Sequence, residues 1–175
     1  MRAADGTSVN SGIAHTSHSS PITWGDGTVC FGDSEVHALR LNAAFKEEEV
    51  WSGTVPGDVF GSPLLQDNTL FLTTGAGELF AFDARGKGSP EPLIAARKLF
   101  GNANAAGPVA YASLTLAGGY LFLNSNQGET VVLEATRGAR VVGRNRLPAG
   151  TGSSPVFSGQ EMFLRDGDKL YCVFR

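Results

Sequence analysis

Residues 61–84, Gly61-Ser62-Pro63-Leu64-Leu65-Gln66-Asp67-Asn68-Thr69-Leu70-Phe71-Leu72-Thr73-Thr74-Gly75-Ala76-Gly77-Glu78-Leu79-Phe80-Ala81-Phe82-Asp83-Ala84, decide the fold. Three short runs of strand-forming residues are separated by two turn signals, Asp67-Asn68 and Gly75-Ala76-Gly77. Gly, Asn and Asp tolerate the positive φ of tight hairpins, so each signal has a mechanism. The second and third runs are apolar almost throughout instead of alternating. A sheet wetted on one face alternates, whereas one covered on both faces reads as continuous. The stretch therefore describes a small antiparallel sheet with neighbours on both sides.

The same pattern recurs along the chain. Ser20-Pro21-Ile22, Ser62-Pro63-Leu64, Gly107-Pro108-Val109 and Ser154-Pro155-Val156 open four copies, with prolines 42, 45 and 47 residues apart. Apolar triplets follow at Val29–Phe31, Leu70–Leu72, Leu121–Leu123 and Met162–Leu164, and further runs at Val36–Leu39, Leu79–Phe82, Thr130–Leu133 and Leu170–Val173. A fourth, more polar strand is expected at Glu49–Ser52, Arg97–Phe100 and Arg140–Gly143, where mixed polarity suits an outer edge. Four strands in ~42–47 residues is the arithmetic of a propeller blade. The expectation is an all-β propeller of four four-stranded antiparallel blades, over about 19–55, 56–102, 103–147 and 148–175, behind a polar segment 1–18.

Two irregularities stand out. The third copy carries about six extra residues, Ala110–Thr115, read as a longer inner strand or a bulged loop. The fourth copy reaches Phe174-Arg175 without an outer strand, and Met1–Gly12 is poor in strand formers. Either the four blades close on themselves, or two chains assemble, or a piece is absent.

Composition bounds the function. Of 175 residues, 42% are hydrophobic and 18% charged, which excludes a disordered tail. The net charge of −3 offers no basic field for nucleic acid. No apolar run approaches the ~18 residues of a membrane-spanning helix. Glycine, 23 residues or about 13%, is nearly twice the usual ~7%, as expected for many tight turns. Met1–Gly12 has no secretory signal core. Cys30 and Cys172 fall at apolar registers and are read as buried, unpaired thiols, with a bridge between two chains as the sharper alternative.

Gly61–Leu65, Gly77–Ala84 and Lys169–Cys172 resemble blades of the pyrroloquinoline-quinone-like repeat propellers, and the resemblance covers about Ser19–Arg175. Ala81-Phe82-Asp83-Ala84-Arg85-Gly86-Lys87 looks like the middle of that family's tryptophan-docking motif, with Trp51 at the end of such a strand in the first copy and Phe100 in its place in the second. The resemblance implies an eight-bladed ring, of which this chain would be a C-terminal four-blade half that a homodimer could complete. It also implies a bacterial, periplasmic or secreted setting. The family includes quinoprotein alcohol dehydrogenases, which hold quinone and calcium with Glu, Asn and Asp beside a disulfide of adjacent cysteines. This chain has no adjacent cysteines and no matching ligand cluster. The fold is carried over and the family's catalytic residues are not.

No residue is therefore assigned to catalysis, and no cofactor is expected. His15-Thr16-Ser17-His18 offers two imidazoles without further ligands, so it is read as a loop and not as a metal site. Asp166-Gly167-Asp168 lacks the later acidic ligand of a calcium loop and is read as a hairpin turn. His37 aligns with Phe80, Val131 and Tyr171, which marks a core packing position. Lys46–Glu49 is read as a solvated loop, and Arg137, Arg140, Arg144 and Arg146 as a soluble edge. Trp24 and Trp51 are expected to fill gaps between blades. Propeller ligands sit at a channel mouth, lined by the loops that enter the innermost strands. In this register the candidates are His15, His18, Asp58, Asn102, Asn104 and Thr151. The leading expectation is a non-catalytic binding or scaffold module for a protein or small ligand. The alternative is a fragment of a quinone-dependent alcohol dehydrogenase. A carbohydrate binder ranks last, because Phe60 is the lone aromatic in those loops.

Overall fold

The computed structural model describes residues 4–7, 18–25, 27–32, 34–101, 110–150 and 152–174. Their strands form four separate antiparallel sheets, each with strands in chain order. The first holds β1 (Ile22–Trp24), β2 (Gly27–Gly32), β3 (Glu35–Leu41) and β4 (Glu47–Thr54). The second holds β5 (Leu64–Gln66), β6 (Thr69–Thr73), β7 (Glu78–Asp83) and β8 (Ile94–Lys98). The third holds β9 (Thr115–Ala117), β10 (Tyr120–Asn124), β11 (Glu129–Glu134) and β12 (Val141–Arg146). The fourth has three strands, β13 (Val156–Ser158), β14 (Glu161–Asp166) and β15 (Lys169–Val173).

Turn chemistry sets the register. Asp67 and Asn68 both carry positive φ, 46° and 60°, and join β5 to β6 by a two-residue turn. Gly118 and Gly119, at 57° and 80°, do the same between β9 and β10. These are the dihedrals of a type I′ hairpin, whose twist matches the strands it joins.

The sheets stack through their faces. Val36, Ala38 and Trp51 of the first sheet enclose one core with Leu70, Leu72, Phe80 and Phe82 of the second. Phe71, Leu79 and Ala81 on the opposite face of the second sheet form another core with Leu121, Leu123, Val131 and Leu133 of the third. All five residues of β6 are buried, as a strand covered on both faces requires. Fully burying a side chain such as Phe71 or Leu79 contributes roughly 1.5–3 kcal/mol. The fourth sheet meets the third through Phe157 and Phe122, ring centroids 4.8 Å apart.

Several sequence expectations shift. The outer strand of the second sheet is Ile94–Lys98, upstream of the expected Arg97–Phe100. Glu47–Glu49 lie within β4 and not in a loop. Cys172 is exposed, because its face of β15 meets no other sheet among the described residues. His37 is not a core residue. Its ring is 24% exposed, with Nε2 3.2 Å from Glu35 and Nδ1 2.9 Å from Glu49. An imidazole takes the position that Phe80 fills by apolar packing because carboxylates on β3 and β4 solvate it in place of a core. Arg137, Arg140 and Arg144 form a bonded edge, paired with Asp83, Glu134 and Glu129 respectively.

Candidate functional site

Four segments lead into the first strands of the sheets, and their serines align them. Ser20 N–H donates to Ser62 Oγ (3.0 Å), Ser62 N–H to Ser113 Oγ (2.9 Å), and Ser113 N–H to Ser154 Oγ (2.9 Å). Each rung spans two adjacent sheets, and all run in one direction. The ladder explains why the serines recur: they splice neighbouring blades together. It also corrects the register of the third copy. The structural partner of Ser20, Ser62 and Ser154 is Ser113, six residues beyond Gly107. The extra residues therefore precede the strand, and residues 110–114 form the entry to β9.

Two residues before each rung stands a second row: His18, Phe60, Tyr111 and Gly152. The His18 and Phe60 ring centroids are 4.8 Å apart, and those of Phe60 and Tyr111 5.1 Å. Both spacings are those of favourable ring pairs. A Cβ on Gly152 would lie 3.2 Å from the Tyr111 ring, so the row continues to the fourth sheet through a residue with no side chain. Tyr111 is 45% exposed and His18 is exposed, so the file is open to solvent. Between the two rows the backbones nearly touch. A Cβ on Gly61 would come within 2.4 Å of the Ala112 carbonyl oxygen.

Of the candidates named from sequence, His18 joins this row. Asp58 is exposed on the segment ahead of Phe60, and its carbonyl accepts from Gly75 N–H at 2.7 Å. His15, Asn102, Asn104 and Thr151 lie outside the described residues. Sequence reasoning missed Tyr111, because the Gly107-Pro108 alignment assigned it to an insertion. The available signal was the aromatic–small–Ser pattern shared by Phe60-Gly61-Ser62 and Tyr111-Ala112-Ser113. It also missed Asp166. Gly167, at φ 62°, turns β14 into β15 as expected of a hairpin, and the Asp166 carboxylate accepts from Ala149 N–H (3.0 Å) and from Gly150 N–H. This buried carboxylate fixes the segment approaching the fourth sheet.

The outer rim has its own splice. Trp51, within β4, is fully buried, stacks on Phe82 at 5.7 Å, and donates its Nε1–H to the Ala84 carbonyl at 3.1 Å. Ser52 N–H to Gly88 O (2.9 Å) and Gly88 N–H to Val50 O (3.1 Å) join the same strand to the β7–β8 loop of the next sheet. In the second sheet the comparable reach is made by Arg97, not Phe100. Its Nη1 donates to the carbonyls of Gly138 and Ala139, at 2.7 and 3.0 Å.

Two carboxylates on the rim are held below their ordinary range. Asp83 is lowered chiefly by the Arg85 backbone N–H and further by Arg137, and Glu49 chiefly by its hydrogen bond with His37. Beside Glu35 and Ser52, a cleft of about 310 Å³ opens between the first sheet and the Ser89–Pro92 loop, floored by Phe82. No group of three or more His, Cys, Asp or Glu residues able to hold a metal ion is found among the described residues. Among the described residues no helix is long and apolar enough to cross a membrane.

No protein-family model matches the chain, and no curated protein matches it. Among solved structures, BamB from Moraxella catarrhalis superposes with a TM-score of 0.58 at 15% identity, over 89% of this chain and 44% of that one. The computationally designed Ika4 protein superposes with a TM-score of 0.64 at 8% identity, over 94% of this chain and 98% of that one. A europium-containing methanol dehydrogenase gives 0.52 at 13% identity, over 74% and 25%. The chain thus spans less than half of BamB and about a quarter of the dehydrogenase. At these identities the likeness concerns architecture alone, and together with the four stacked antiparallel sheets it establishes a β-propeller fold.

Proposed function

We propose that this chain is a non-catalytic binding module that works from the mouth of its blade array, in a periplasmic or secreted setting. The observation that carries this reading is the open row His18–Phe60–Tyr111, backed by the serine ladder. Buried cores between the sheets already supply the packing, so three rings in file at an exposed mouth are surplus to stability. Rigid aromatic rings present large contact area at low entropic cost, and they suit either a small ligand or a protein loop. Asp58 supplies a carboxylate near the same mouth. The chain is further read as half of an eight-bladed ring, closed by a second copy.

The test is a calorimetric titration with a panel of neutral oligosaccharides, and separately with pyrroloquinoline quinone plus calcium. Saturable oligosaccharide binding that weakens at least tenfold in Tyr111→Ser and Phe60→Ala, with folding unchanged by circular dichroism, supports the module. Binding indifferent to both substitutions refutes the mouth as its site. A calcium-dependent quinone chromophore would replace this reading with the dehydrogenase one.

A further inference from the structure

The stacking has a direction, and one of its faces is left open. Strand register puts Ile22 and Ala38 of the first sheet on the face that meets the second. In the second sheet the same cross-strand positions are Leu64, Phe71 and Ala81, which meet the third. In the third they are Thr115, Phe122 and Val132, and Phe122 meets Phe157 of the fourth. In the fourth sheet they are Val156, Phe163 and Cys172, flanked by Leu170 on β15 and by Phe174 just after it. Among the described residues no further sheet covers this face, although Phe163 is half-buried. Val156 is 60% exposed, Leu170 71% and Phe174 75%, while Phe71, Leu79 and Ala81 of the second sheet are at 0%.

The serine ladder is open at the same place. Ser154 accepts from Ser113, and among the described residues nothing accepts from Ser154 N–H. At the other end Ser20 donates to Ser62, and nothing described donates to Ser20 Oγ. One end lacks an acceptor and the other lacks a donor. These are the complementary halves of one more rung.

We infer that the open face of the fourth sheet is the docking surface for the first sheet of a second copy of this chain, with Ser154 N–H donating to Ser20 Oγ across the junction. This rests on the half-ring reading above and gives it residues. The occupant is a second copy because the two open ends of the ladder are complementary, so the junction continues the serine rungs already made three times within the chain. The first sheet meets it with His37 between Glu35 and Glu49, where the second presents Phe80. The partner must offer a leading serine hydroxyl and an open sheet face, and among the described residues the first sheet offers both. Two copies joined at both ends close with twofold symmetry, whereas a junction with the wrong rotation would run on as a filament. Closure would also extend the aromatic row, bringing His18 of the second copy beside Gly152 and Tyr111. The mouth would then be complete only in the dimer.

Two measurements come first: solution mass of the unmodified chain by light scattering across a dilution series, and maleimide labelling of Cys172 in a Cys30→Ser variant. A mass near twice 18.3 kDa with labelling slowed at least tenfold relative to the dilute chain is expected. Leu170→Glu adds a charge at a position that is exposed in the single chain, so it should fold normally, run at 18.3 kDa and label fast at every concentration. A mass of 18.3 kDa at tens of micromolar overturns the inference, as does a mass that grows without plateau. A doubled mass that survives Leu170→Glu with Cys172 still reactive overturns it too, because association would then use another surface. Repeating the oligosaccharide titration on the Leu170→Glu monomer separates the two readings. Binding retained there leaves the mouth intact whatever the assembly does.

Discussion

Trp51 shows how one side chain joins two blades. It stacks on Phe82, fills the core between the first two sheets, and caps the Ala84 carbonyl with its indole N–H. The two contributions can be separated. Trp51→Phe keeps most of the packing and orphans a buried acceptor, for a loss of about 1–3 kcal/mol. Trp51→Ala removes the packing as well and should cost about 3–5 kcal/mol. Urea denaturation of both variants checks the order, and equal losses would mean that the hydrogen bond alone matters. Glu49 and Asp83 give the rim its pH dependence. Both carboxyls are lowered in the folded chain, so their stabilisation is fully present above their unfolded values, 4.5 and 3.8, and is lost as pH falls through the lower folded values. Glu49 is half exposed and Asp83 sits at the rim with 29% of its side chain exposed, so solvent screening holds each to at most about 1 kcal/mol. The melting-temperature gap between the unmodified chain and Glu49→Gln should be open at pH 6 and close towards pH 3. A gap that widens on acidification would reverse the sign and refute the assignment.

At the scale of elements, legibility followed chemistry that repeats. Hairpins at Asp67-Asn68 and Gly118-Gly119 could be read because positive φ selects a few residue types. The apolar runs of β6, β7, β10 and β11 could be read because sheets covered on both faces leave no alternation. Proline is a misleading punctuation mark in the third blade. Proline only presets φ, whereas the contact that sets the register is the serine rung, made by Ser113 ahead of Leu114. Alignment on proline hides Tyr111, and with it the continuation of the row beyond Phe60. His37 escaped for a different reason: strand periodicity reports which face a residue takes, not that Glu35 and Glu49 flank it. The rungs can be weighed directly. Ser62→Ala removes the hydroxyl that accepts from Ser20 N–H between two well-packed sheets, and should cost about 0.5–1.5 kcal/mol. Gly61→Ala should cost more than Ser62→Ala, because its methyl group meets the Ala112 carbonyl, which is backbone and cannot rotate away. Chemical denaturation of the two variants side by side gives the comparison, and a Gly61→Ala protein as stable as the unmodified chain would show that the blades can separate there freely.

For the whole molecule, the uneven covering of the sheets matters more than their number. The second sheet is enclosed on both faces, the third nearly so, and the fourth on one. Stability in a stacked array is approximately a sum of repeat and neighbour terms, so the fourth sheet is the least supported unit and should be the first to open. A second copy seated on it would add the missing neighbour term, and that term depends on concentration. Binding to the native state alone stabilises by mass action, so the melting temperature of the unmodified chain should rise with each tenfold increase in protein concentration. Leu170→Glu, which keeps the single chain intact but charges the open face, should melt at one temperature across the same series. Hydrogen exchange gives the local readout: the β14–β15 amides should gain protection with concentration in the unmodified chain, while those of β6 and β7, already enclosed, should not change. A melting temperature independent of concentration, with β15 exchanging fast throughout, would mean that the fourth sheet remains an open end in solution.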